Sequence, residues 1–312
     1  MKYFIASLVF GLSGFCSAQD DLLSLVEEPG DNKPGIVYAT FKTVRIGNAQ
    51  SIETVKKKHL DFRISHRFGN LYDDGRGINR TFQTFLGFDE VSDVRFSLDY
   101  GITDDITVAL GRSKMNKLVD GSIKYRFLHQ TADFKIPVSV AFFGSAGYSH
   151  APAIDIYGAS YENKTFATNE LHRFNYFSQF IIACKVNEFL SLELLPSYMH
   201  RNYIVEDINT YNNAALPNSF FSVGFGGRIK LSKRASLIGD YFYNFSPYYQ
   251  NNSRAFNPLS LGFELETGGH VFSLVFTNAA GLVENNFVPL TSETWTRGQV
   301  KFGFTISRTF AL

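Results

Sequence analysis

The chain ends in a stretch of alternating character, Val-Lys-Phe-Gly-Phe-Thr-Ile-Ser-Arg-Thr-Phe-Ala-Leu, at residues 300–312. In an extended strand, successive side chains point to opposite faces. One face therefore carries Val300, Phe302, Phe304, Ile306 and Phe310, and the other carries Lys301, Gly303, Thr305, Ser307 and Thr309. This pattern predicts a strand in a sheet that has an apolar environment on one side only.

The composition also favours strands. The chain of 312 residues is 16% aromatic, with 32 Phe and 16 Tyr against one Trp and three Met. Such usage suits β-strands and aromatic girdles better than helices. The length fits one or two soluble domains or one barrel of moderate size. The formal net charge of +1 gives no indication of a nucleic-acid partner.

The amino terminus has the features of an export signal. A basic Lys2, an apolar run to about Phe15 and the small residues Ser17 and Ala18 predict a signal peptide over residues 1–18, cleaved after about Ala18. A lipoprotein signal at Cys16 is the rival interpretation, but Phe15 stands where such signals need a small residue. Once Cys16 is removed, Cys184 has no partner for an internal disulfide.

Two segments precede the alternating region. Residues 19–35 form an acidic tail, in which residues 20–28 carry four apolar side chains; this is either a frayed end or a docking peptide for a periplasmic partner. Residues 36–53 form a lead-in segment before the predicted barrel of residues 54–312. Within it, residues 36–46 alternate weakly, which fits an extra strand, an insert in the lumen or a periplasmic connection.

Twelve alternating strands are predicted from residue 59 onward. They cover residues 59–68, 93–100, 106–112, 119–128, 136–147, 171–184, 189–201, 219–231, 235–245, 258–266, 270–278 and 298–310. The connections between them alternate between short turns and mostly long loops. That rhythm predicts an all-β fold, an antiparallel up-and-down transmembrane β-barrel with short periplasmic turns and long outer loops. A soluble barrel with the apolar row inside is the alternative.

A membrane barrel must turn its apolar rows toward lipid, so its polar rows face the lumen. On the predicted strands, residues 61, 63 and 67 should lie beside residues 93, 95 and 99. The predicted charged lumen lining consists of Asp61, Arg63, Arg67, Asp93, Arg95, Asp99, Lys124, Arg126, Arg173, Glu193, Arg228, Lys230, Asp240, Glu264 and Lys301. These charges either fill a narrow barrel with salt bridges or line a pore, whose anion-favouring side would carry Lys124, Arg126, Arg228 and Lys230.

Three segments resemble a family of outer-membrane β-barrel proteins of unknown function from Gram-negative bacteria. They are His-Leu-Asp-Phe-Arg-Ile-Ser-His-Arg-Phe-Gly at residues 59–69, Phe-Asp-Glu-Val-Ser-Asp-Val-Arg-Phe-Ser-Leu-Asp-Tyr-Gly-Ile-Thr-Asp at residues 88–104, and the closing strand. The resemblance covers the chain from about residue 36 onward. It implies a barrel in the cell outer membrane and carries over no catalytic or ligand-binding residues. Outer-membrane lipid and, through the carboxyl-terminal strand, the barrel-insertion machinery are the implied partners.

No motif for catalysis or cofactor binding stands out. His200 lies near Asn202, but Ser197 is three residues away on the same strand and points to the opposite face. The seven His have no metal-ligand spacing, and residues 73–75 indicate a solvated turn rather than a calcium site. We therefore predict no enzyme, no metal and no cofactor. The porin-like hypothesis is a channel for small polar or anionic solutes; the alternative is a non-conducting scaffold that binds a periplasmic partner or, through loop residues such as 248–252, a surface partner.

Overall fold

The computed structural model describes residues 35–72, 77–152, 169–267 and 270–312. The predicted signal peptide, the acidic tail up to residue 34 and the Asp73-Asp74-Gly75 turn lie outside these ranges. Within them, twelve strands form one closed barrel, and two shorter strands, β1 (Arg45–Ile46) and β2 (Ala49–Gln50), form a separate small sheet.

The barrel strands follow one another around the wall in chain order. They are β3 (His59–Asn70), β4 (Val91–Gly101), β5 (Ile106–Ser113), β6 (Leu118–Leu128), β7 (Ser139–Ser149), β8 (Phe174–Lys185), β9 (Leu190–Arg201), β10 (Ser219–Lys230), β11 (Ala235–Phe245), β12 (Leu259–Thr267), β13 (His270–Thr277) and β14 (Lys301–Ala311). All neighbours are antiparallel, and β14 pairs with β3 to close the barrel, with Ala311 opposite His59. The predicted up-and-down barrel of twelve strands is confirmed.

The predicted alternation of faces also holds in the closing strand. Lys301 and Ser307 are buried inside the barrel, and Thr309 donates a hydrogen bond to Asp61 on the neighbouring strand. On the other parity, Phe302 stacks on the outward ring of Phe68. The apolar row of β14 therefore belongs to the outer surface, because closure of the sheet leaves the polar row facing inward.

The two ends of the barrel differ. At one end, here called the turn end, the connections are short, as between Gly101 and Ile106 or between Lys230 and Ala235. At the other, the loop end, long connections include two short helices, α1 (Gly77–Gln83) and α2 (Glu284–Leu290). No helix in the described ranges is long and apolar enough to cross a bilayer.

Candidate functional site

The lumen contains a hairpin from the amino-terminal side of the barrel. Residues 36–58, here called the plug, enter at the turn end, fold back through β1 and β2, and leave at the same end to begin β3. Gly47 forms the turn with a φ of +54°, and a Cβ there would overlap Asp240 Oδ2 and Ser260 Oγ. Only glycine combines this backbone conformation with such close contact to the wall.

Polar contacts join the tip of the plug to three strands in one arc of the wall. The Asn48 amide donates to Asp240 Oδ2 at 2.8 Å, and its side-chain Nδ2 donates to Thr277 Oγ1 at 3.1 Å. Two strands further along the wall from Thr277, Arg67 Nη2 donates to Asn48 Oδ1 at 2.8 Å. Strands β3, β11 and β13 therefore all bind this one residue.

Lys124 binds the two arms of the plug. Its Nζ donates to the backbone carbonyls of Val44 at 3.0 Å, Ser51 at 2.8 Å and Glu53 at 3.0 Å. These three bonds use all the donors that an ammonium group has. A buried cation is thus satisfied by the plug backbone, which makes Lys124 a clamp on the wall of the barrel.

Further strands contact the plug elsewhere. Ser191 Oγ donates to the Thr40 carbonyl at 2.7 Å, and the Val55 amide donates to Thr107 Oγ1 at 2.9 Å. Near the turn end, Lys42 pairs with Glu266 at 2.9 Å. The plug is therefore bound to strands around the whole barrel wall.

The part of the lumen wall formed by β7 to β11 carries many apolar side chains. Phe41, Ile46, Ala49 and Ile52 of the plug are fully buried, each at most 1% exposed. They share a core with inward-facing side chains of β7 to β11: Ala141, Phe143, Phe177, Ile181, Ala183, Leu195, Met199, Phe220, Ile238 and Phe242. A lumen wall of this kind would be unfavourable in water, so it requires an apolar occupant.

Helix α2 fills the lumen from the loop end. Phe287 packs edge-on against Phe242, and Asn285 Nδ2 donates to Asn175 Oδ1 at 2.6 Å. Glu284, at the start of α2, forms an ion pair with Arg45 of the plug at 2.6 Å; the Glu284 side chain is fully buried and the Arg45 side chain is 14% exposed. The plug and α2 thus meet inside the barrel.

The space left among these groups is small. A cavity of about 30 Å³ lies between Arg45, Arg63, Arg95, Lys124 and Glu284, and a second of about 20 Å³ lies beside Gly47. Each has room for one or two waters. Beyond α2, at the loop end, the described loops enclose a wider cavity of about 470 Å³, here called the vestibule; it is lined in part by Arg173, Arg201, Tyr203, Glu206, Asp207, Tyr248 and Arg254.

Twelve of the fifteen charged residues predicted to line the lumen are buried in the structure. They are Asp61, Arg63, Arg67, Asp93, Arg95, Asp99, Lys124, Glu193, Arg228, Asp240, Glu264 and Lys301. Arg126 contacts Glu53 of the plug at 3.8 Å, and Lys230 shares the inward parity of Arg228 at the end of β10. Arg173 differs: it precedes β8 in a 3-10 helix that Asn169 caps, and it donates to the Ser149 and Ala151 carbonyls at the vestibule.

The predicted neighbours on the first hairpin are correct. Asp61 lies opposite Asp99, and Arg67 lies opposite Asp93. Arg63 Nη2 donates to Asp61 at 3.0 Å, and Arg95 Nη2 donates to Asp120 at 2.7 Å. The cations grouped as an anion-favouring wall have protein partners instead, since Lys124 binds the plug and Arg228 pairs with Glu264 at 3.2 Å.

The sequence analysis missed the apolar half of the lumen and the role of the plug. The sequence of β8 contains a signal for the apolar half of the lumen, because the consecutive residues Phe180, Ile181, Ile182 and Ala183 are apolar on both faces. A continuous apolar run indicates a strand that is buried on both sides. Gly226 is a signal for the plug, because a glycine inside a strand often marks the close approach of another segment. A Cβ at this position would lie 2.8 Å from Ile46 of the plug.

The suggested surface role of the loop at residues 248–252 needs correction. Tyr248 and Tyr249 are buried at 5% and 6% exposure, so they belong to the core above the lumen and cannot act as surface contacts. As predicted, His200 is directed away from Ser197: its Nδ1 contacts Ser219 Oγ at 2.6 Å and its Nε2 contacts Asn202 Oδ1 at 3.1 Å. Asn202 in turn donates to the Leu171 carbonyl, so this chain of hydrogen bonds ties the ends of β9 and β10 to the loop before β8.

A closed antiparallel barrel with an outer apolar surface and a charged, filled lumen defines a membrane β-barrel. The chain belongs to the family described as Membrane bound beta barrel domain (DUF5777), whose model matches residues 41–310. No curated protein sequence matches the chain.

Solved structures share the barrel architecture at low similarity. The KdgM porin is 8% identical, with a TM-score of 0.43 over 81% of this chain and 99% of that one. LpxR from Salmonella typhimurium is 9% identical, with a TM-score of 0.34 over 81% of this chain and 100% of that one. OmpF of Salmonella typhi, in complex with daunomycin, is 8% identical, with a TM-score of 0.34 over 88% and 100%.

Proposed function

We propose that the protein is an outer-membrane channel for small polar or anionic solutes that is closed at rest by its own plug. The observation that carries the proposal is the Gly47–Asn48 turn, which sits deep in the barrel and contacts β3, β11 and β13 together. In this placement the turn end faces the periplasm, the loop end faces the cell exterior, and the chain reaches the membrane through the barrel-insertion machinery. Passage of a solute then requires both the plug and α2 to move out of the lumen.

The vestibule supports the choice of solute. Its described lining contains the guanidinium groups of Arg173, Arg201 and Arg254 and the carboxylates of Glu206 and Asp207, so it carries charge of both signs. Arg254 is paired with Asp207 at 2.7 Å, and Arg173 is paired with Glu170 at 3.4 Å. A small polar solute would meet these charged groups here, before it reaches α2.

Closure at rest follows from the burial of the plug. Removing Phe41, Ile46 and Ile52 from their sites would expose three fully buried apolar side chains. Each such exposure costs about 1.5–3 kcal/mol. The open state is therefore rare without an external trigger, such as applied voltage or a periplasmic partner that binds the predicted tail at residues 20–28.

Planar-bilayer recording tests the proposal with three proteins. The wild-type barrel should give no steady current at low voltage, whereas a variant that lacks residues 36–55 and has α2 replaced by a short Gly-Ser linker should give stable unitary steps. A third protein, N48C/T277C in a C184S background, places two thiols where Asn48 Nδ2 now contacts Thr277 Oγ1. Oxidation should hold its plug in place and suppress any voltage-induced opening, and reduction should restore it.

The non-conducting scaffold is the second candidate, and the apolar wall of β7 to β11 favours it, because this wall is unsuited to a water-filled pore. The two candidates differ in one result. If the variant without plug and α2 keeps its β-sheet circular dichroism but carries no current, and wild type stays silent at high voltage, the channel proposal fails and the scaffold role is retained.

A further inference from the structure

In the loop between β3 and β4, polar side chains are buried and large apolar side chains are exposed. In and after α1, the small polar residues Thr81 and Thr84 face the barrel and are buried, at 6% and 8% exposure. The large apolar residues point away from the protein: Ile78 is 56% exposed, Phe82 71%, Phe85 67% and Leu86 42%. A loop in contact with water alone would have the opposite arrangement, because exposed apolar area is unfavourable there.

The backbone holds these side chains outward. Phe85 and Leu86 have φ values of +47° and +56°, a left-handed conformation that residues with large side chains rarely adopt. Hydrogen bonds fix the turn: the Leu86 amide donates to the Thr81 carbonyl at 2.8 Å, and the Gly69 amide of β3 donates to the Gly87 carbonyl at 3.0 Å. The outward position of Phe85 and Leu86 is thus built into the fold.

This face continues the outer surface of the barrel. Phe85 contacts Phe88 at 5.8 Å between ring centroids, and Phe88 contacts Phe68 at 5.0 Å and Phe302 at 5.7 Å. Phe302 in turn contacts Phe276 at 5.5 Å. A row of rings therefore runs without interruption from the lipid-facing strands β13, β14 and β3 onto the loop.

We infer that residues 77–88 form an interfacial anchor, here called the α1 anchor, which lies in the membrane with its apolar side chains among the lipids of the leaflet at the loop end. Helices with this distribution of side chains lie at the boundary between headgroups and acyl chains. Continuity with the lipid-facing aromatic row points to lipid, because the same apolar phase that covers Phe68 and Phe302 extends to Phe85. The inference does not depend on whether the lumen conducts.

Fluorescence quenching by brominated lipid tests the α1 anchor. Trp295 is the single tryptophan of the chain, so W295F provides a silent background. In this background, F82W reports on the anchor, F96W reports on the outer wall, where Phe96 is 49% exposed, and Y211W reports on another loop, where Tyr211 is 70% exposed. Each protein is inserted into vesicles of phosphatidylcholine brominated at shallow or deep acyl positions.

We expect the indole of the F82W variant to be quenched several-fold more by shallow bromines than by deep ones. The indole of F96W should be quenched by lipid as well, and that of Y211W should be affected by neither lipid. Lack of quenching in F82W, with quenching retained in F96W, would overturn the inference. If the F82W indole were then protected from aqueous iodide, a second copy of the chain would be the occupant of this face, and the lipid anchor would again be excluded. Proteolytic resistance of each barrel confirms that the variants are folded.

Discussion

Arg45 of the plug and the buried Glu284 of α2 form an ion pair, 2.6 Å apart, at the point where the two elements that fill the barrel meet from opposite ends. The Arg45 guanidinium also donates to the Asn48 carbonyl at 2.6 Å, so the same side chain stabilises the turn of the plug. Arg45 thus couples the shape of the plug to the position of α2.

R45M should weaken this junction strongly. It leaves the Glu284 carboxylate buried without its cation, which typically costs about 3–5 kcal/mol. The free energy of unfolding, from urea titration in lipid vesicles, should fall by that order, and the plug should become cleavable by added protease. Because the buried charge is the cause, R45M/E284L should recover much of the loss.

K42M is the matched control for that measurement. Lys42 also pairs an arm of the plug with the wall, but the Lys42 and Glu266 side chains are 36% and 32% exposed. A pair so open to solvent contributes about 0–1 kcal/mol. Equal losses for R45M and K42M would contradict a special role of the Arg45–Glu284 junction.

G47A should displace the tip of the plug. The substitution combines an unfavourable left-handed backbone, worth about 1–3 kcal/mol, with overlap between its Cβ and the side chains of Asp240 and Ser260. In bilayer recordings it should raise the frequency of brief openings. G35A separates the two effects, because Gly35 has a φ of +91° but nothing within 4 Å of a Cβ. An equal rise in the frequency of openings in both variants would show that close contact between Gly47 and the wall is unimportant.

K124M should loosen the arms of the plug. The carbonyls of Val44, Ser51 and Glu53 would lose their common donor, and one buried unsatisfied polar group costs about 1–3 kcal/mol. Hydrogen exchange of the plug amides should therefore accelerate by roughly tenfold or more, since about 1.4 kcal/mol corresponds to a factor of ten. K135M removes a lysine of the turn end that is 85% exposed and should leave the exchange unchanged.

The Tyr248 phenol should ionise only at a pH well above that of an exposed tyrosine. Burial, together with its hydrogen bond to Asp207 at 2.5 Å, raises the pKa of Tyr248 to about 12. A raised pKa means that the folded state favours the neutral phenol, so this contribution to stability is complete below about pH 10 and is lost as the pH rises toward 12. The tyrosinate absorbance of wild type minus that of Y248F should rise near pH 12, and D207N should shift the rise to lower pH. A transition at about pH 10 in wild type would refute the buried hydrogen bond.

The barrel was predictable because its signals are local. The alternation in residues 300–312 and the matched charges of β3 and β4 follow from the period of a strand and need no knowledge of distant contacts. The plug was not predictable as an occupant of the lumen, although an insert was one of three placements for residues 36–46. Its polar contacts, such as Lys124 with three carbonyls or Asn48 with Asp240, join residues 71 to 192 positions apart, and short sequence patterns carry no information on such pairs.

Both ends of the plug are attached at the same rim of the barrel, since Ile36 bridges to Thr131 and Lys57 bridges to Gly101. The segment is therefore a loop inserted from one side and is not threaded through from end to end. Its withdrawal would break none of the ladder hydrogen bonds between β3 and β14, and the ring of strands would stay intact. The plug can therefore leave the barrel and return repeatedly while the strands of the wall stay paired.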